Sequence, residues 1–78
     1  MGAKAKSEFA KSFGKHLKEI RLARGISLKH FEAVDGAINR HELSRIENGR
    51  KIPNLFTVLR IARRLGVDLR ELFRDFKY

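Results

Sequence analysis

The histidines are the first residues to test for acid–base or metal chemistry. His16, His30 and His41 are separated by 14 and 11 residues. No two stand four apart, so no helix face carries a pair of histidine ligands. Cysteine is absent, which removes disulfides, cysteine-ligated zinc, iron–sulfur clusters and thiol catalysis together. After Gly14 no two glycines lie closer than 11 residues, so no glycine loop can cradle a phosphate, and no G-x-S-x-G turn occurs. Small helices also leave little room for a deep catalytic pocket. We therefore expect no catalytic residues, no metal, no cofactor and no enzymatic activity. The stretch that carries recognition chemistry is NRHELSRIENG, from Asn39 to Gly49. On a helix, Leu43 and Ile46 point inward and leave Arg40, His41, Ser44 and Arg45 on the outer side. These types donate hydrogen bonds, and arginine grips guanine O6 and N7 together. Such a helix fits a DNA major groove. The same pattern also fits an ordinary solvated helix face.

What must position that helix is one small domain. A chain of 78 residues buries only ~60–65% of its unfolded surface, so its core is limited. The apolar fraction of 42% suffices for a packed fold and exceeds that of a disordered tail. Lys and Arg number 18 against 9 Asp and Glu, a net charge of +9, which suits a polyanionic partner. The excess is spread: +5 over residues 1–24, +1 over 25–54 and +3 over 55–78. No apolar run follows the basic first residues, so a secretory signal is not expected, and nothing approaches the ~20 apolar residues of a spanning helix. Residues 1–12 read as a basic N-terminal arm and 13–76 as the folded domain. A cytoplasmic location is expected.

Glycines punctuate the helices. Phe13, Leu17, Ile20 and Arg24 step by 4, 3 and 4 along one face, and Gly25 stops that helix. Ser7 and Phe9 allow an earlier start. Ser27 caps a short second helix with Leu28, Phe31 and Val34 on one side, ending at Gly36. Asn39, with Glu42 three residues on, opens the third, which ends at Gly49. Pro53 and Asn54 open a fourth, with Leu55, Val58, Leu59, Ala62 and Leu65 expected inward. Asp68 and Glu71 open a fifth, with Leu69, Leu72, Phe73 and Phe76 apolar. No segment alternates with period two. The expected fold is all-α, with five short helices.

The arrangement IRLARGISLKHFEA followed by INRHELSRIENGRKIPNLFTVLRIARRLGVDLRELF resembles the phage repressor and Cro family of helix-turn-helix DNA-binding domains, also called Xre-like. The resemblance runs from about residue 13 to 73. LSRIENGRKIP and the LGVDLRELF ending are its most specific segments. It implies a compact lambda-repressor-like domain in which helices 2 and 3 form the helix-turn-helix and the helix 40–48 reads the major groove. It implies a bacterial or phage nucleoid-associated transcriptional regulator, a repressor by this reading, that binds double-stranded DNA. By position, Asn39, Arg40, His41, Ser44 and Arg45 match residues that touch bases or nearby phosphates. Asn48, Arg50 and Lys51 match a loop that touches the DNA backbone. Ser27 and Lys29, at the start of helix 2, are further phosphate candidates. Three features depart from the family. Leu28 stands where a phosphate-binding glutamine is usual. Glu32 follows Phe31 where a small alanine is usual. The turn before Asn39 reads as one residue longer.

Arg21 lies along the Phe13–Leu17 stripe, and Glu47 lies near the inner edge of helix 3. Unpaired charges at such places cost several kcal/mol, so the two are expected to pair, as the resemblance also implies. Helix 5 carries Leu69, Leu72, Phe73 and Phe76, with Val67 before it and Tyr78 after it. This surface suggests a weak homodimer through the C-terminal helix. The alternative function is an antitoxin-like protein-interaction module that also binds its own operator, with a protein partner of unknown identity. A membrane-surface role for Lys6, Lys11, Lys15 and Lys18 ranks last, because Phe9, Phe13 and Leu17 beside them are needed for the core.

Overall fold

A computed structural model describes residues 3–34, 38–74 and 76. Five helices follow in order: α1 (Ala3–Ala23), α2 (Leu28–Val34), α3 (Arg40–Glu47), α4 (Leu55–Leu65) and α5 (Leu69–Leu72). No strand occurs among the described residues. The five-helix, all-α architecture is the one expected from the sequence.

α1 is longer than its apolar stripe required. It is 21 residues long, ~31 Å at 1.5 Å per residue. From Ala3 onward, the residues read as an arm are helical. Ala, Lys and Glu favour the helix there. Ala10 is buried and Phe9 stacks on Phe13 at 5.7 Å, so the added turns have a core to rest on. Gly14 stands mid-helix. A Cβ there would lie 2.3 Å from the Ile46 carbonyl oxygen and 2.6 Å from that of Glu47, so its bare backbone lets α1 and α3 touch.

The core is built from all five helices. Phe13 and Leu17 of α1, Phe31 of α2, Leu43 and Ile46 of α3, Val58, Ile61, Ala62 and Leu65 of α4, and Leu72 of α5 form one cluster, joined by Ile38 and Val67. Leu55 and Leu59 depart from expectation. They are 72% and 40% exposed, because Val58, Ile61, Ala62 and Leu65 define the buried stripe and leave the other two on its flank. Phe73 and Phe76 turn back onto α1. Phe73 stacks on Phe13 at 5.5 Å, and Phe76 meets Phe9 and Phe13 edge-on at 6.0 Å each. His16 packs on Phe76 and its Nε2 donates to the Leu72 carbonyl, closing the C-terminal turn onto α1.

The caps follow the sequence. Asp68 and Glu71 form a reciprocal capping box at α5. The Glu71 N–H that Asp68 accepts, with the Arg70 charge beside it, holds the Asp68 carboxyl below the usual carboxylate range. Asn54 Oδ1 accepts from Thr57 N–H at 2.8 Å at the start of α4. Ser27 Oγ accepts from His30 N–H at 3.0 Å at the start of α2. Gly36, and with it the turn that read as long, lies outside the described residues, as does Tyr78.

Candidate nucleic-acid interface

The site is organised around α3. Its buried side is Leu43, Ile46 and Glu47. These seat the helix on α1, where Gly14 allows contact with its last carbonyls. α2 packs across α3 through the shared core around Phe31 and Leu43. The helix-turn-helix pair is thus a single packed unit.

Two side chains finish the N-terminus of α3, whose first amides have no partner within the helix. Asn39 Oδ1 accepts from Glu42 N–H at 2.8 Å. Glu32 Oε2, from α2, accepts from Arg40 N–H at 2.9 Å. Glu32 therefore ties α2 to α3 at the point where α3 begins. In the sequence, Glu32 stands out only as a departure from the family pattern. Its partner lies eight residues away across a turn, beyond any local capping rule. Glu42 does not complete a capping box, because its carboxylate instead pairs with Lys51 Nζ at 2.5 Å.

Seat and orientation also depend on a charge pair. Arg21 Nε donates to Glu47 Oε2 at 2.6 Å and Nη2 donates to Oε1 at 3.0 Å. Nη1 donates to the Ile26 carbonyl at 2.6 Å. Arg21 is 4% exposed and Glu47 6%. The bidentate geometry and the third bond satisfy the buried guanidinium. The pair locks α3 to α1 and to the chain entering α2.

The outward side of α3 holds His41, Ser44, Arg45 and Asn48, with Arg40 at its first turn. Arg40, His41 and Arg45 are exposed, and none has a side-chain hydrogen bond or ion pair among the described residues. Asn48 Nδ2 donates to Ser44 Oγ at 3.3 Å, so these two share one polar spot. Asn39 stands at the edge, its Oδ1 committed to the cap and its amide NH₂ available. Arg50 is exposed just past Gly49, whose φ of +73° is the left-handed turn that ends the helix. Lys51 is half-buried and tied to Glu42, so part of its charge is already neutralised. Ser27 and Lys29 are exposed at the start of α2, and half-buried Leu28 packs against the core. No cluster of three or more metal-ligating side chains occurs among the described residues. No helix among the described residues is long and apolar enough to cross a membrane.

Comparison with known families fits this geometry. The helix-turn-helix family profile matches residues 17–72, which takes in α2, α3, α4 and α5. The chain therefore belongs to the Xre-like helix-turn-helix family, whose members are DNA-binding regulators. No curated protein matches the chain.

Proposed function

We propose that this protein is a sequence-specific double-stranded DNA-binding repressor that inserts α3 into the major groove. The observation that carries the reading is the division of α3. Leu43, Ile46 and the paired Glu47 fix one side, while Arg40, His41, Ser44 and Arg45 present donors on the other. Arg40 and Arg45 read base edges, with Asn39, His41 and Ser44 beside them. Asn48, Arg50, Lys51, Ser27 and Lys29 hold backbone phosphates; the exposure of all but half-buried Lys51 supports that role. Occupying a promoter in this way blocks transcription, on the chromosome and hence in the cytoplasm. Alanine at Arg45 or Arg40 costs about 1–3 kcal/mol on a preferred duplex and flattens preference at one base pair. Binding of each variant to a preferred and a scrambled duplex by fluorescence anisotropy tests this. Equal losses on both duplexes would reduce the arginines to phosphate contacts.

One short helix makes few base contacts, so two copies on adjoining half-sites complete the reading. Leu72, Phe73 and Phe76 are engaged with the protein's own core and α1, which leaves less of the C-terminal helix for a partner than its composition suggests. Half-buried Leu69 shares a surface groove with Leu59 of α4, and Leu55 extends the apolar strip one turn further. A weak homodimer therefore uses α5 together with α4. The same strip, with exposed Phe56, favours the alternative of an antitoxin-like module holding a different protein. Sedimentation on a selected duplex separates them: two copies per duplex supports the dimer, and one copy supports the alternative.

A further inference from the structure

The first turns of α1 and the loop after α3 meet in an open groove, with Lys6, Ser7 and Ala10 on one wall and Gly49, Arg50, Lys51 and Ile52 on the other. The two walls are fixed against each other. A Cβ on Gly49 would lie 2.9 Å from the Lys11 Cα, so loop and helix approach backbone to backbone. Lys6, Lys11 and Arg50 are exposed, and none is ion-paired among the described residues. Lys51 is the one basic residue of the groove already engaged, by Glu42. Lys6 and Arg50 in the lining, with Lys11 beside Gly49, offer three available cations next to the Ser7 hydroxyl, and Ala10 and the exposed Ile52 supply the apolar part of the floor.

Position gives this groove its partner. α3 has eight residues, ~12 Å of helix, close to the ~12 Å width of a B-DNA major groove. A helix of that length lying across the groove brings one phosphate backbone to each of its ends. At the C-terminal end stand Gly49 and Arg50, and the α1 residues lie directly across from them. We propose that Lys6, Ser7, Lys11 and Arg50 form a clamp for the phosphodiester strand passing the C-terminal end of α3. The inference rests on the DNA-binding reading above and extends it to the turns of α1 that precede residue 17, outside the family match. Lys6 and Lys11 each neutralise one phosphate, Ser7 donates a hydrogen bond, and none of the three reads sequence. In a family domain whose α3 reads the bases, the N-terminal half of α1 thus supplies affinity rather than specificity.

The test is the salt dependence of binding to a duplex selected by the wild-type protein, for the wild type, K6A/K11A and R45A. Both lysines are exposed, so K6A/K11A should keep the wild-type thermal melt. Removing two phosphate contacts should lower the slope of log K against log salt by about 1.8. Between 50 and 200 mM salt the affinity loss then shrinks about twelve-fold relative to wild type. Base preference should stay unchanged in K6A/K11A and flatten in R45A. A duplex with neutral methylphosphonates at the two flanking positions should reproduce the K6A/K11A slope and gain nothing further from the mutations. An unchanged slope in K6A/K11A, with R45A still flattening preference, would overturn the clamp and leave the major-groove reading standing. Failure of the wild-type protein to select any sequence would overturn that reading, and the clamp with it.

Discussion

Removing one member of the Arg21–Glu47 pair should unfold a large part of this small domain's stability margin. Arg21→Ala leaves the Glu47 carboxylate buried at 6% exposure without the two guanidinium donors at 2.6 and 3.0 Å. It also frees the Ile26 carbonyl from its 2.6 Å donor. Breaking a buried pair from one side costs about 3–5 kcal/mol, mostly for the charge left behind. A domain of this size has roughly 4–12 kcal/mol in total. The Tm should therefore fall by at least ~12 °C, taking about 4–8 °C per kcal/mol. Glu47→Ala should cost a similar amount, because the guanidinium keeps only Ile26. The double variant should cost clearly less than the two singles together, and Arg21→Met with Glu47→Leu should recover most of the loss, since an apolar pair needs no desolvation of charge. Urea unfolding of the four proteins measures the cycle. Additive losses would refute the claim that the two side chains stabilise each other, and a Tm change of only one or two degrees would refute their burial.

Three further perturbations test other joints of the fold. Gly14→Ala should destabilise by about 1–3 kcal/mol although alanine is the better helix former, because its Cβ would lie 2.3 Å from the Ile46 carbonyl oxygen; a stabilised variant in urea would contradict the close approach. Glu32→Leu should cost about 0.5–2 kcal/mol by uncapping the Arg40 amide, whereas Glu32→Gln keeps an acceptor and should stay near wild type; equal losses would place the effect elsewhere. The Asp68 cap should respond to acid with a definite sign. Its folded pKa is depressed, so its contribution is complete above the ordinary carboxylate pKa of ~3.9 and is lost as pH falls through the lower folded value. Asp68→Asn should remove that acid-dependent part of the unfolding curve, and an unchanged pH dependence would argue against the cap.

The sequence was most legible where a rule is local. The caps at Asn39, Asn54 and Asp68, the buried pair Leu43 and Ile46, and Val58, Ala62 and Leu65 of α4 all follow from spacing of three and four, whereas buried Ile61 was not among the positions that spacing marked. Long-range geometry was less legible. Leu55 and Leu59 carry the right period for burial, yet among the described residues they stay 72% and 40% exposed on the flank of α4. Gly14 looks in sequence like an interruption, and only the proximity of the α3 carbonyls explains it. The helical start of α1 at Ala3 depends on Phe9 finding Phe13 and Phe76, a contact between the two ends of the domain. For the site, the outward types on α3 were readable from periodicity. The contacts around them, Glu32 on the Arg40 backbone amide and Glu42 on Lys51 of the following loop, arise from tertiary folding across turns.

The central claim is that α3 reads DNA sequence with Arg40 and Arg45. Selection of bound duplexes from a random library, run in parallel with wild type and Arg45→Ala, tests it most directly. The account predicts that wild type enriches a defined motif with guanine at an arginine-read position and a two-fold related half-site about 34 Å away, and that Arg45→Ala loses preference at one base pair of each half-site. Enrichment of no motif by the wild-type protein, or the same motif recovered unchanged by the variant, would contradict it.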